Sequence, residues 1–281
     1  MNKLKTPLRY PGGKSRVADK IESYFPDLSN FDEFREPFLG GGSMAIHITK
    51  KYPDLSIWVN DLYEPLINFW KQLQVSGVEM QERIVELRTI NKTLLSGLSL
   101  FNDSKEKINN KYVSDLERAI AFYIVNKCSF SGLTEKSTFT QQAYEQFTLL
   151  GIQRLSTFSD LIKNWKFSND SYEVLLQDTN KAFVYLDPPY DIKSNLYGKD
   201  GLLHKNFDHK EFATNCKNSN LLQMISYNSN EAIKKNFNDW NIYEFDFTYT
   251  LVSVGEYMKN QKSKIELLIC NYDSTLRGQN E

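Results

Sequence analysis

Cysteine is scarce. Cys128, Cys216 and Cys270 are the only three, far apart and without a C-x-x-C pair, so the chain encodes neither a disulfide framework nor a zinc site. The thiols are expected to be reduced and partly buried, and no metal ligand set is expected. No apolar run approaches the roughly 20 residues of a membrane span, and no apolar h-region follows the lysines of Met1 to Pro7. A cytoplasmic protein with no membrane partner is the expectation. Excess positive charge is also missing, since 34 Lys and Arg stand against 35 Asp and Glu, for a formal net charge of -1. That balance argues weakly against nucleic acid, because phosphate binding needs local positive potential. Its distribution matters more than its sum. Lys3, Lys5, Arg9, Lys14, Arg16 and Lys20 make a basic N-terminal segment that leaves a one-sided field open.

What is there reads as α/β. A chain of 281 residues can bury one α/β core and still hold a smaller inserted module. Phe34 to Phe38 leads into Leu39-Gly40-Gly41-Gly42-Ser43, Met44 to Ile48 reads as a helix, and Leu55 to Asp61 is a β-rich stretch ending in an acid. Strand, glycine turn, helix and strand make a βαβ unit and imply a parallel sheet. From about Glu64 to Gly151 the pattern turns helical and polar, with a Ser114/Glu117 capping-box signature. Asn102 to Asn110 is polar enough to predict a mobile loop. Strand patterns return at Ala182 to Leu186, Leu222 to Ser226, Ile242 to Thr250 and Ile265 to Cys270. The division expected is therefore residues 1–64 with 152–281 as one domain, interrupted by a helical insertion at 65–151.

Asp187-Pro188-Pro189-Tyr190, directly after a buried-looking strand, carries the clearest chemistry. The lone pair of adenine N6 is delocalised into the ring, and acceptors on both amino hydrogens localise it toward a methyl donor. Asp187 and the carbonyl of Pro188 can supply those acceptors. The prolines fix the turn and remove two backbone donors, and Tyr190 offers a face for stacking. Taken alone, the tetrapeptide also fits a plain Pro-Pro turn. The glycines after Phe38 let a ligand approach the backbone, and Asp61, about 20 residues on, suits ribose hydroxyls. Pro11-Gly12-Gly13-Lys14-Ser15 is not a P-loop, because the required first glycine would fall at Leu8 and no strand precedes it.

These segments in this order, Leu8 to Lys14, Glu36 to Gly42, Asn60-Asp61, Asn126 to Leu133 and Asp187 to Tyr190, together resemble the DNA adenine methylase (Dam) family. The likeness extends to Glu266 to Tyr272, which is similar to that family's last strand. The resemblance implies a Rossmann-like class I methyltransferase seven-stranded sheet with a helical target-recognition insertion. It implies S-adenosylmethionine as cofactor, contacted by Tyr10, Lys14, Asp61 and Asp187, with Lys14 on the donor carboxylate and Asp61 on the ribose. Phe38, Gly40 and Gly42 would line the same site, and Phe167 to Asp170 would lie near the cofactor adenine. Tyr10 stands where many members carry Trp.

The resemblance also implies double-stranded DNA as partner, with a cognate restriction endonuclease as a further candidate. Asn126, Lys127, Phe130, Ser131, Leu133 and Glu135 would form the DNA-reading turn, Phe130 as the aromatic that wedges into the base stack. Ser131 replaces a common Asn, and Glu135 sits where GATC-specific members have a basic residue. A carboxylate there accepts from cytosine N4, which favours C-A-T-G over G-A-T-C. Asp187, Pro188 and Tyr190 would be catalytic, acting on a flipped adenine without metal. Two alternatives stay open at this point: methylation of RNA adenine, cytosine N4 or glutamine through a related motif, and a DNA-binding module that kept the fold without catalysis.

Overall fold

The computed structural model describes residues 5–132, 137–178, 181–190, 207–247 and 264–274. Strand β1 (Glu33–Glu36) runs into the glycine turn, helix α2 (Ser43–Lys51) follows, and β2 (Ser56–Asn60) lies parallel to β1; a short α1 (Ala18–Glu22) precedes them. Strands β3 (Lys166–Ser168), β4 (Ala182–Leu186), β5 (Leu222–Asn228), β6 (Asn241–Phe247) and β7 (Lys264–Cys270) complete a seven-stranded sheet of order β3-β2-β1-β4-β5-β7-β6. The first five in that order are parallel, and β7 is antiparallel to both β5 and β6. A parallel sheet wound outward from β1, with its last strand inserted antiparallel, is the expected Rossmann-like methyltransferase arrangement. The winding reverses between β1 and β4, and such a switch point opens a ligand site at the carboxyl ends of the strands.

The period of two along β4 sorts its side chains onto two cores. Phe183 and Tyr185 join Phe25 and Phe34 in one, while Ala182, Val184 and Leu186 join Phe212, Ile225, Tyr227 and Ile233 in the other. Helices α9 (His209–Asn218) and α10 (Glu231–Asn236) cover the second core.

The segment after β2 is helical, as expected: α3 (Glu64–Ile90), α4 (Leu94–Lys107), α5 (Asp115–Cys128), α6 (Gln141–Glu145), α7 (Leu149–Ile152) and α8 (Leu155–Leu161). Ser114 caps α5 through the Glu117 amide. The core is continuous from sheet to helices, because Phe69, Trp70 and Leu73 of α3 share one buried cluster with Met44, Phe183 and Trp165. Non-helical backbone at Ser76 (φ -132°, ψ 27°) interrupts α3 between this part and the outer part.

Two sequence expectations change. Asn102 to Lys107 is not a loop, since α4 runs through it, started by a Thr93/Ser96 capping box and held by buried Leu100, Phe101 and Ser104. Its polar residues are the solvated face of an amphipathic helix. Strand β3 was hidden because three residues at a sheet edge are too few to show alternation. Its Phe167 nonetheless leads into Ser168, Asn169 and Asp170, which lie against the end of β2. The three cysteines are free and buried, and burial pushes the Cys128 thiol up to about 12. Among the described residues no helix is long and apolar enough to cross a membrane, and no cluster of potential metal ligands occurs.

Candidate functional site

Asp187 follows the last residue of β4, at the switch point, and is half-buried. Its Oδ1 accepts from Ser226 of β5 at 2.8 Å and from Lys14 at 2.9 Å, and lies 3.1 Å from the Tyr190 hydroxyl. Among the described residues Oδ2 accepts from Lys14 alone, at 2.9 Å. One oxygen is thus crowded with donors while the other keeps a lone pair for an incoming N–H. Ser226 is in turn 2.9 Å from the hydroxyl of buried Tyr185. The carboxylate is held from behind by two strands.

Lys14 is 2% exposed and reaches this point from the N-terminal loop. Besides Asp187 it donates to the Tyr190 hydroxyl at 2.7 Å and to the Gly12 carbonyl at 3.2 Å. The ammonium pairs with the Asp187 carboxylate, and for Lys14 to reach a donor carboxylate that pair would have to open. Glu266 of β7, 1% exposed, lies 3.9 Å from Lys14 and accepts from Tyr190 at 3.0 Å. Glu36 at the end of β1 is a further buried acid, accepting from the Ala45 amide of α2 at 2.8 Å. Burial, then repulsion from Asp187 and Asp61, holds its pKa well above the usual carboxylate range.

The glycine turn and Asp61 meet on the other side of the switch point. Gly40 (φ 48°) and Gly42 (φ 68°) are left-handed, and the Gly40 amide donates to Asp61 Oδ2 at 3.0 Å. The Tyr63 amide takes Oδ1 at 3.0 Å, and burial raises the Asp61 pKa. Tyr10 lies flat against the turn: a Cβ on Gly40 would sit 2.8 Å from its ring. Only a residue without a side chain allows that approach. Asn169 donates to the Asp61 carbonyl at 2.8 Å, which brings the Phe167 to Asp170 segment to the same place. The Phe38 ring is half-buried and stacks on Tyr172 at 5.5 Å, with Phe207 at 5.8 Å. A left-handed glycine turn, an aromatic face and a carboxylate with unused lone pairs fit a nucleoside-bearing methyl donor.

The turn after α5 is placed differently from its sequence expectation. Asn126 is fully buried, accepting from Arg9 N at 2.9 Å and donating to Arg9 O and Gly132 O at 2.8 Å each. Every polar atom of its amide is engaged, so it staples the turn to the N-terminal segment and is not available to DNA. Lys127 also points inward, donating to Pro7 O at 3.1 Å, and burial lowers its pKa to about 8. Gly132 (φ 74°) presses on Arg9 so closely that a Cβ would fall 2.1 Å from the Arg9 carbonyl oxygen. Phe130 is 47% exposed. Ser131 lies in the same 3-10 turn, Phe130–Gly132, while Leu133 and Glu135 fall outside the described residues.

Ser226, Glu36 and Glu266 join the site although no role could be read for them in sequence. The available signal was a polar residue inside an otherwise apolar strand, as in Ile265-Glu266-Leu267-Leu268.

Comparison with known proteins is consistent with this geometry. The sequence profile of a family described as D12 class N6 adenine-specific DNA methyltransferase matches residues 10–251. The type II methyltransferase M1.LlaDCHI of Lactococcus lactis subsp. cremoris is 23% identical over 286 residues, covering 94% of each chain. The type II methyltransferase M.MjaIII of Methanocaldococcus jannaschii is 25% identical over 206 residues, 66% of this chain and 69% of its own. Among solved structures, the rRNA methyltransferase aviRa from Streptomyces viridochromogenes aligns over 96% of this chain and 89% of its own, at 11% identity and a TM-score of 0.34. That superposition is too loose to bear on the fold, which rests on the strand order.

Proposed function

Because the chain belongs to the D12 class of N6 adenine-specific DNA methyltransferases, we propose that it methylates N6 of an adenine flipped out of a short duplex site, with S-adenosylmethionine as donor. The observation that carries the reading is the asymmetric loading of Asp187: Oδ1 is fixed by Ser226 and Lys14, and Oδ2 retains capacity for the amino group. Oδ2 and the Pro188 carbonyl accept hydrogen bonds from the two N6–H groups and localise the nitrogen lone pair, and once the N–C bond has formed Asp187 takes the proton that the nitrogen sheds. S-adenosylmethionine supplies the electrophilic methyl group when bound. Orientation and fixed charge then lower the barrier, with no covalent intermediate. Tyr190 presents its ring to the base, and Lys14 holds the Asp187 carboxylate in place. Tyr10, Phe38, Gly40, Gly42 and Asp61 form the donor side, Asp61 accepting from the ribose.

The insertion at 65–151 serves as the target-recognition module, with Phe130, Ser131, Leu133 and Glu135 contacting DNA. Asn126 and Lys127 support that turn from inside. Glu135 reads a cytosine beside the target adenine, so C-A-T-G is preferred to G-A-T-C. The type II names of the relatives support a cognate restriction endonuclease as partner, and action on cellular DNA would place the protein in the cytoplasm. The family description sets RNA, cytosine and protein substrates aside. Methylation mapping of DNA from cells expressing the protein tests the reading, expecting N6-methyladenine at one short motif. No modified adenine with the folded protein present would sink it, and a G-A-T-C product would remove only the role of Glu135.

A further inference from the structure

Glu266 is a charged residue inside a buried strand. It pairs with Asn228 of β5 on one side and Phe245 of β6 on the other, so it is interior to the sheet, and it is 1% exposed. Removing a carboxylate from water costs several kcal/mol, and an apolar residue would serve the strand with less penalty. What the carboxylate does there is hold Tyr190. The hydroxyl sits between Asp187 Oδ1 at 3.1 Å and Glu266 Oε1 at 3.0 Å while Lys14 donates to it at 2.7 Å. A phenol has one proton to donate. Directed to Asp187, that proton would add to the donors already on Oδ1 and weaken the carboxylate as an acceptor for N6. Directed to Glu266, it leaves Asp187 its acceptor strength and fixes the plane of the Tyr190 ring, whose neighbour is Tyr227 at 6.0 Å.

We propose that Glu266 is a positioning residue for methyl transfer, acting by drawing the Tyr190 hydroxyl away from Asp187 and so fixing the ring beside the target base. The inference rests on the reading of Asp187 and Tyr190 as the catalytic pair. The test is single-turnover methylation of duplex DNA by the full chain with saturating labelled S-adenosylmethionine, for Glu266→Ala and Glu266→Gln, in both the native and the Tyr190→Phe background. In the native background Glu266→Ala is expected to lower the rate constant about tenfold or more, with DNA and donor dissociation constants within about threefold. Glu266→Gln, which keeps an acceptor oxygen, should fall between. In the Tyr190→Phe background, where the hydroxyl is gone, Glu266→Ala should cost no more than about twofold further.

An equal penalty in both backgrounds, or none in the native one, overturns the proposal. Should Glu266→Ala fail to fold, Glu266→Gln carries the same comparison. Asp187→Ala separates the two levels: if it stays active, the site reading falls and this inference with it. If it is inactive while the Glu266 variants match wild type in folded protein, only the inference falls.

Discussion

The carboxyl edge of the sheet and the turn after α5 use similar polar residues to opposite ends. At the edge, Asp187 after β4, Ser226 of β5 and Glu266 of β7 are linked to one another through Lys14 and Tyr190, with Glu36 of β1 buried on the Ala45 amide. Apart from Glu36, side chain bonds side chain there, in a place fixed by sheet register. At the turn, Asn126, Lys127 and Arg9 bond backbone, and what they fix is the path of the chain. On the proposed reading the first arrangement preorganises a reaction, and the second positions a loop whose exposed Phe130 contacts DNA.

That contrast breaks most visibly at Lys14. Lys14→Met should leave Asp187 and Glu266 without their shared cation, and removing one partner of a buried ion pair costs about 3–5 kcal/mol. Chemical denaturation should show it as a lower midpoint. An unchanged midpoint would mean the carboxylates need no counter-ion, and the edge would not be the preorganised cluster described.

Asp187→Ala should act on rate instead. Transfer should fall more than a hundredfold, about 2.7 kcal/mol in barrier, while donor binding and the fold persist, because Lys14 retains Tyr190, the Gly12 carbonyl and nearby Glu266. Residual activity above about a hundredth, in folded protein, removes Asp187 from the chemistry.

The turn is tested by Asn126→Ala, which strands Arg9 N, Arg9 O and the Gly132 carbonyl. Losing partners of buried polar groups costs about 1–3 kcal/mol, so stability should fall together with DNA binding. If stability holds and DNA binding alone drops, Asn126 contacts DNA after all.

The sequence showed the two regions unequally. The edge was legible where chemistry is local: Asp187-Pro188-Pro189-Tyr190 and the glycine turn with Asp61 each lie in one stretch of chain, and the strands around them carry apolar patterns. Glu266 and Ser226 were not legible as site residues, because their relation to Asp187 is made by β4–β5–β7 pairing across 79 and 39 positions. At the turn it was the family resemblance, not the residue types, that implied contacts with a partner. Burial of Asn126 and the inward path of Lys127 depend on Pro7 and Arg9, more than a hundred residues earlier, which no local pattern announces. The last turns of helix α4, from Asn102 to Lys107, hid for the opposite reason, since their polar face outweighed the few buried positions that hold the helix.

Phe130 should give the smallest change in stability, and so sharpens the comparison most finely. It is 47% exposed at the tip of the stapled turn, so Phe130→Ala should move the unfolding midpoint by the equivalent of no more than about 0.5 kcal/mol. Its work, on the present reading, is to separate bases as the target adenine leaves the stack, a step that costs least when the adenine is already mispaired. The variant should therefore methylate a matched duplex about tenfold more slowly, about 1.4 kcal/mol, and recover most of that loss on a duplex with a mismatch opposite the target. The same variant would lose activity equally on both substrates if Phe130 merely packed against the DNA backbone. Equal loss would leave the turn as a docking surface and move the source of base flipping elsewhere in the molecule.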